Sequence, residues 1–239
     1  MPTVVVSGAT SGLGLAITRL MLDSGWSVIG LGRDLSPLEP MCDVHGSALT
    51  PMSADFTQED WETTVAEHLA TLSSLEGLVN AAGISRGAPF DTCSDEDWAA
   101  SMAVNTEAPL KLSRLCLPAL RRAPHASIVH VGSPVGFKGT RKASYAASKA
   151  ALLGLTMSMA AQLGPEGIRV NLALPGPTVT GMTEDWSEAR RAEVGKSTLL
   201  GRMARPEEFA KVVRFLLSDD ASYVTGTILD VSASGFFGH

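Results

Sequence analysis

The sequence is short of several things, and each shortage removes a class of function. It has three cysteines, Cys42, Cys93 and Cys116, and no CxxC pair. So sparse and odd a set makes neither a disulfide framework nor a zinc site, and a reducing, cytoplasmic setting is expected. The five histidines, at 45, 68, 125, 130 and 239, show no HxxxH spacing, so no bound metal is expected. Basic charge is in deficit: 19 lysines and arginines against 25 acids give a net charge of −6. That argues against a nucleic-acid binder, which needs a basic face. No stretch approaches the ~20 apolar residues of a membrane span. The opening Met1-Pro2-Thr3-Val4-Val5-Val6 has no basic region before its short apolar run, so no signal peptide is expected. Linkers, repeats, charge blocks and low-complexity segments are missing too, which predicts one domain over residues 1–239.

What is present is an alternation. Hydrophobic residues make up 45% of the chain, enough for a substantial core. Short apolar runs read as buried strands at Thr3–Ser7, Trp26–Gly32, Ala48–Ala54, Leu78–Asn80, Ser127–Gly132, Arg169–Leu174 and Thr227–Val231. Between them, helical patterns run from about Gly12 to Ser24, Thr57 to Ser73, Asp95 to Arg121, Ser144 to Leu163 and Pro206 to Ser218. Apolar strands alternating with helices predict an α/β, doubly wound fold: a parallel sheet of about seven strands covered on both faces. The stretch from about Thr178 to Leu200 breaks this rhythm, and reads either as a lid or as an ordinary surface helix.

The first strand runs into Gly8-Ala9-Thr10-Ser11-Gly12-Leu13-Gly14. Glycines between a first strand and a first helix let backbone N–H groups approach a pyrophosphate, where the helix N-terminus adds partial positive charge. The spacing is GxxxGxG, not GxGxxG. The second strand closes at Gly32-Arg33-Asp34. An acid here would bond ribose hydroxyls and favour NAD, whereas an arginine would pair with a 2′-phosphate. Arg33 is placed for a phosphate and Asp34 points away, which favours NADP(H) and leaves NAD(H) possible. Otherwise both are solvated loop charges.

Tyr145 and Lys149 stand at i and i+4, on one helix face. A phenol titrates near 10, too high for exchange at neutral pH. A neighbouring ammonium is expected to lower it and make an acid–base pair. Ser133 follows the strand ending at Gly132, at the carboxyl edge where ligands bind in parallel sheets.

With these motifs in order, the chain resembles the short-chain dehydrogenase/reductase family over nearly its whole length. Its look is nearest the 3-oxoacyl-[acyl-carrier-protein] reductase-like branch. Ser7 through Gly14 resembles the TGxxxGxG turn, with serine for threonine. Asn80-Ala81-Ala82-Gly83 resembles NNAG, with Ala81 for the second asparagine. The resemblance implies a Rossmann-type domain and a catalytic set of Asn105, Ser133, Tyr145 and Lys149. It implies cofactor contacts at Gly8, Thr10, Ser11, Gly12, Leu13, Gly14, Arg33, Asp55, Asn80, Ala81, Gly83, Tyr145, Lys149, Pro175, Gly176 and Thr178. Asp55 would lie near the adenine and Thr178 at the nicotinamide carboxamide. Asn105 would hold a proton-relay water.

The implied activity is NAD(P)-dependent hydride transfer between the cofactor and a carbonyl or secondary alcohol. NADPH-dependent reduction of a 3-oxoacyl thioester or similar ketone leads; dehydrogenation of a sugar, polyol or other small secondary alcohol is the alternative. A non-catalytic dinucleotide sensor would usually have lost the tyrosine or lysine, and both remain here. The substrate pocket is expected from Ile84, Ser85, Pro134, Val135, Phe137 and the 178–200 lid, with Trp186 as a cover. Arg86, Lys138 and Arg141 lie in nearby loops, none clearly aimed at a substrate. The family commonly forms tetramers through its two long central helices, so a homotetramer or homodimer is expected. The small residues Ala146, Ala147, Ala150, Ala151 and Gly154 would permit close approach, unless they pack on the protein's own sheet. The apolar Phe236-Phe237-Gly238-His239 would dock on a neighbour.

Overall fold

The computed structural model describes residues 1–58, 60–183 and 185–233, so the terminal Phe236–His239 lies outside the described residues. One seven-stranded sheet organises the chain, in the order β3-β2-β1-β4-β5-β6-β7. The strands are β1 (Thr3–Ser7), β2 (Ser27–Gly32), β3 (Leu49–Ser53), β4 (Gly77–Asn80), β5 (Ala126–Val131), β6 (Ile168–Pro175) and β7 (Ile228–Val231). Every neighbouring pair is parallel, Val5 aligning with Ile29 on one side and Leu78 on the other. The chain builds β2 and β3 on one side of β1, then returns to lay β4 on the other. That reversal opens a crevice at the carboxyl ends of β1 and β4, the place where doubly wound sheets bind ligands.

Helices α1 (Gly12–Asp23) and α9 (Pro206–Leu217) cover one face. Their Ile17, Met21, Phe209, Val213 and Leu216 pack on Val4, Val6, Val28 and Val129. Helices α3 (Trp61–Ala70), α5 (Ala108–Leu120) and α7 (Ala143–Leu163) cover the other. There Val65, Leu69, Leu112, Cys116 and Leu163 meet Val5, Ile29, Leu78 and Ile128. Alternate residues of one strand thus feed two cores, which is why the strands read as continuous apolar runs. Each fully buried side chain of this size contributes roughly 1.5–3 kcal/mol.

Two differences from the sequence expectations have physical causes. The helical stretch from Asp95 is divided: α4 (Asp95–Met102) and α5 are joined by a π turn over Ala103–Glu107. Pro109, in the first turn of α5, has no N–H to give the carbonyl of Asn105 four residues earlier, so the ladder shifts register there. Two short helices appear that periodicity could not reveal, α2 (Glu39–His45) and α6 (Val135–Lys138). The 178–200 segment contains a 3₁₀ turn at Gly181–Thr183 and α8 (Glu188–Lys196), capped by the Ser187 hydroxyl on the Arg190 N–H. Among the described residues no helix is long and apolar enough to cross a membrane.

Candidate active site

The crevice floor is built by side chains far apart in sequence. The buried Ser7 hydroxyl accepts the N–H groups of Ala81 and Ala82 at 3.1 and 3.2 Å, fastening the end of β1 to the loop after β4. Serine in place of threonine therefore keeps the one atom this staple uses. Gly8 has φ +69°, and a Cβ there would lie 2.8 Å from the Ala82 Cα. A Cβ at Gly14 would fall 2.0 Å from the Gly8 carbonyl oxygen, so α1 can approach β1 only as glycine. Ser11 precedes α1 in extended backbone and makes no side-chain cap, which leaves the first-turn N–H groups of α1 without a side-chain acceptor. That turn fits a pyrophosphate, which would take those N–H groups at the positive end of the helix.

Beside this turn, Thr10 packs over the end of β2: a Cβ at Gly32 would meet its side chain at 2.4 Å. Arg33 is exposed at the strand end. Asp34 accepts the Ser36 N–H at 3.0 Å. Asp55 accepts the N–H and hydroxyl of Thr57, which hold its carboxyl below the usual range, with the positive charge of Arg33 adding to the effect. Arg33 and Asp55 thus flank the same end of the crevice.

The opposite end holds the titratable side chains. Ser133, just past β5, faces the Tyr145 hydroxyl from α7 and favours its ionised form. Lys149, one turn on, is buried and donates to the Val131 carbonyl at 2.9 Å. Burial pushes Lys149 down to about 8. Tyr145 is pushed up by burial, Ser133 opposing it. The Lys149 ammonium is engaged by Val131 here, and burial favours the protonated phenol.

The Asn105 side chain is fully engaged by protein groups. Its Oδ1 accepts the Ile84 N–H at 2.9 Å, and its Nδ2 donates to the Ile84 carbonyl and the Ser148 hydroxyl, both at 2.9 Å. The carboxamide ties the loop after β4 to α7, and Thr106 adds a bond to the Ser148 carbonyl. The Asn105 main-chain carbonyl has no i+4 donor, because Pro109 carries no N–H. Ser148, between Tyr145 and Lys149, was not singled out from sequence, although it lies inside the YxxxK spacing. Gly83 completes the group: a Cβ there would sit 3.3 Å from Lys149 Nζ and 3.4 Å from Asn105 Oδ1.

Behind these residues runs a buried polar chain that spacing does not reveal. The Ser113 hydroxyl donates to the Pro109 carbonyl at 2.6 Å, so it must accept from Asn80 Nδ2 at 3.3 Å. The second Asn80 hydrogen then points to His130 Nδ1 at 3.2 Å. His130 is therefore neutral with its hydrogen on Nε2. Burial, with the nearby Lys149 charge adding to it, lowers its pKa to about 4. His130 Nε2 and Asn80 Oδ1 are buried with no partner among the described residues.

On the substrate side, Pro134 is buried, and Ile84, Ser85 and Val135 are half-buried. The far wall comes from the segment after β6. Gly176 packs against the end of β7, where a Cβ would lie 2.6 Å from the Ser232 Cα. The buried Thr178 hydroxyl donates to the Gly176 carbonyl at 2.9 Å, and Thr180 lies 3.5 Å from the Cβ position of Gly12. The start of the 178–200 segment therefore reaches the glycine turn. Trp186 is half-buried, its ring beneath the Arg190 guanidinium at 4.5 Å. Pro175 ends β6 beside Val231 of β7.

Comparison with known proteins agrees with this arrangement. A family model described as enoyl-(acyl carrier protein) reductase matches residues 8–235. The chain is 34% identical over 232 residues to the 3-oxoacyl-[acyl-carrier-protein] reductase FabG of Thermotoga maritima, covering 95% of this chain and 94% of that protein. It is 33% identical over 230 residues to the protein of the same name from Escherichia coli, with the same coverage. Among solved structures, one described as an NAD(P) dependent gluconate 5-dehydrogenase from Beutenbergia cavernae, with bound NADP, superposes with a TM-score of 0.90 at 34% identity, covering 99% of this chain and 96% of that one. A short-chain dehydrogenase/reductase from Brucella melitensis, described as glucose/ribitol dehydrogenase, also gives 0.90, at 33% identity and coverage of 100% and 97%. Fold, motif order and relatives converge: the chain belongs to the short-chain dehydrogenase/reductase family and is an oxidoreductase of it.

Proposed function

We propose that the chain reduces a 3-oxoacyl thioester or similar ketone with NADPH, using Ser133, Tyr145 and Lys149. The observation that carries this reading is Ser133 facing Tyr145 at the carboxyl edge of β5, one helical turn from the buried Lys149, with burial raising the phenol's pKa. A protonated tyrosine suits reduction, where the new alkoxide needs a proton. Ser133 and Tyr145 orient the carbonyl oxygen, and Tyr145 donates to it. The buried Lys149 steadies the tyrosinate left behind, and the main-chain carbonyl of Asn105 holds a water through which Lys149 exchanges protons with solvent. The nicotinamide supplies the hydride when bound.

The dinucleotide lies along residues this crevice gathers. Gly8, Thr10, Ser11, Gly12, Leu13 and Gly14 take the pyrophosphate, and Arg33 takes the 2′-phosphate. Asp55 lies at the adenine. Asn80, Ala81 and Gly83 line the ribose side, with Tyr145 and Lys149. Pro175, Gly176 and Thr178 receive the nicotinamide. The bound NADP of the Beutenbergia cavernae structure favours the same cofactor. Ser85, Pro134, Val135 and Trp186 border the substrate, and residues 178–200 close over it as a lid within one domain. The protein is a cytoplasmic homotetramer in this reading.

A second reading, oxidation of a sugar acid, polyol or other secondary alcohol, is favoured by the names of the two solved structures. Initial rates with a short 3-oxoacyl thioester and NADPH or NADH separate the two. Fast NADPH oxidation supports the reductase. No turnover with either cofactor, but reduction of NADP by a polyol, overturns it in favour of the second reading.

A further inference from the structure

The rim of the crevice carries a charge opposite to the rest of the chain. Two loops meet there, one after β4 (residues 81–90) and one from Gly132 to the start of α7. They are interlocked. Lys142 Nζ donates to the Ser85 carbonyl at 2.7 Å and reaches its hydroxyl at 3.3 Å. The Ser144 hydroxyl donates to the Arg86 carbonyl at 3.3 Å. A Cβ at Gly87 would lie only 2.3 Å from that hydroxyl. Arg86, Lys138, Arg141 and Lys142 are therefore brought to one rim, although they come from two segments.

No aspartate or glutamate occurs in residues 81–90 or 132–149, in a protein of net charge −6. Arg86, Lys138 and Arg141 are exposed, and among the described residues Arg86 and Arg141 form no ion pair. The neighbouring side chains form an apolar wall, with Pro134 buried, Ile84 and Val135 half-buried and Phe137 exposed beside them. The Ser85 hydroxyl beside it is engaged by Lys142. A neutral polyol would lose its bonds to water against such a wall and regain few.

We propose that the substrate is a carbonyl compound with an anionic group, carboxylate or phosphate, beyond a short apolar span from its reacting carbon. The anion sits at Arg86 and Arg141, whose planar guanidinium groups match either oxyanion. Lys138 and Lys142 add to the local positive field. The inference rests on Ser133 and Tyr145 being the reduction site.

The test uses saturating NADPH and three probes of matched skeleton: 4-oxopentanoate, its methyl ester, and 3-oxobutyl phosphate. The anions should exceed the ester in kcat/KM by about tenfold or more, the equivalent of one charge-assisted hydrogen bond. That advantage should shrink between ~20 mM and ~500 mM salt as the Debye length contracts. Which anion is preferred identifies the group. Arg86→Glu and Arg141→Glu should each lower the anion-to-ester ratio, with circular dichroism showing an unchanged fold at these exposed sites. Equal turnover of all three probes, unmoved by salt or by either charge reversal, overturns the inference and leaves the reductase reading standing. No turnover of any probe by enzyme that still reduces a 3-oxoacyl thioester overturns this inference alone, whereas no turnover of the thioester either overturns the reduction site and this inference with it.

Discussion

Tyr145 and His130 show how single residues take their chemistry from burial. Tyr145 is pushed up and keeps its proton. Replacing it with phenylalanine removes the donor and little else, so Tyr145→Phe should lower kcat by about 10²–10⁴-fold. Fluorescence titration should find NADPH affinity nearly unchanged; near wild-type turnover would reject the assignment. His130 is pushed down to about 4, against about 6.5 in an unfolded chain. Between those values the unfolded state binds the extra proton. The stabilisation is therefore complete above about 6.5 and lost as pH falls through about 4. His130→Asn should flatten the acid limb of stability by up to about 3 kcal/mol, read from urea unfolding across that window. An unchanged slope would show that the imidazole does not stay neutral. Arg33→Asp should shift the NADPH-to-NADH ratio of kcat/KM towards NADH by about 10–100-fold, the worth of a charge-assisted hydrogen bond. A fixed ratio would remove Arg33 from the cofactor site.

Elements matter here mainly where they are interrupted. The π turn between α4 and α5 exists because Pro109 cannot bond the Asn105 carbonyl, and α7 is pinned to that turn through Ser148 and Thr106. Pro109→Ala restores an N–H four residues after Asn105. The helix should straighten without loss of thermal stability, while turnover falls about fivefold, the worth of roughly one hydrogen bond withdrawn from the proton path. Turnover at the parent level would mean that the freed carbonyl carries no proton traffic. The elements themselves were legible in the sequence where their periodicity was long. The helix over 143–163 and the strand over 3–7 are read almost to the residue. The helices α2 and α6, of seven and four residues, are too short to show a period. The π turn was hidden because its cause is one proline in an otherwise regular pattern.

At the scale of the molecule, α7 has an outward face on which none of the described residues packs. Ala150 and Gly154 are exposed, a Cβ at Gly154 would meet nothing within 4 Å, and Met157 beside them is 46% exposed. The alternative, that these small residues pack on the protein's own sheet, does not hold for this pair. If the face is a subunit contact, light scattering should give about four times the 25.0 kDa chain mass, and Gly154→Arg should reduce it. A monomeric parent would refute the tetramer.

The residue string alone determined the alternation of strand and helix, the glycine turn and the Ser133, Tyr145, Lys149 spacing. Each depends on neighbours within about two turns of helix or one strand, where periodicity and steric rules act locally. The tertiary structure decided which partner each polar group takes. Ser7 meets Ala81 across 74 residues, Lys149 turns to Val131, and Asn80 joins Ser113 to His130. It also drew Arg86 and Lys142 to one rim. A buried donor takes whichever acceptor the packing brings within reach, because leaving it unpaired costs about 1–3 kcal/mol. That choice is made between elements, and no local pattern records it.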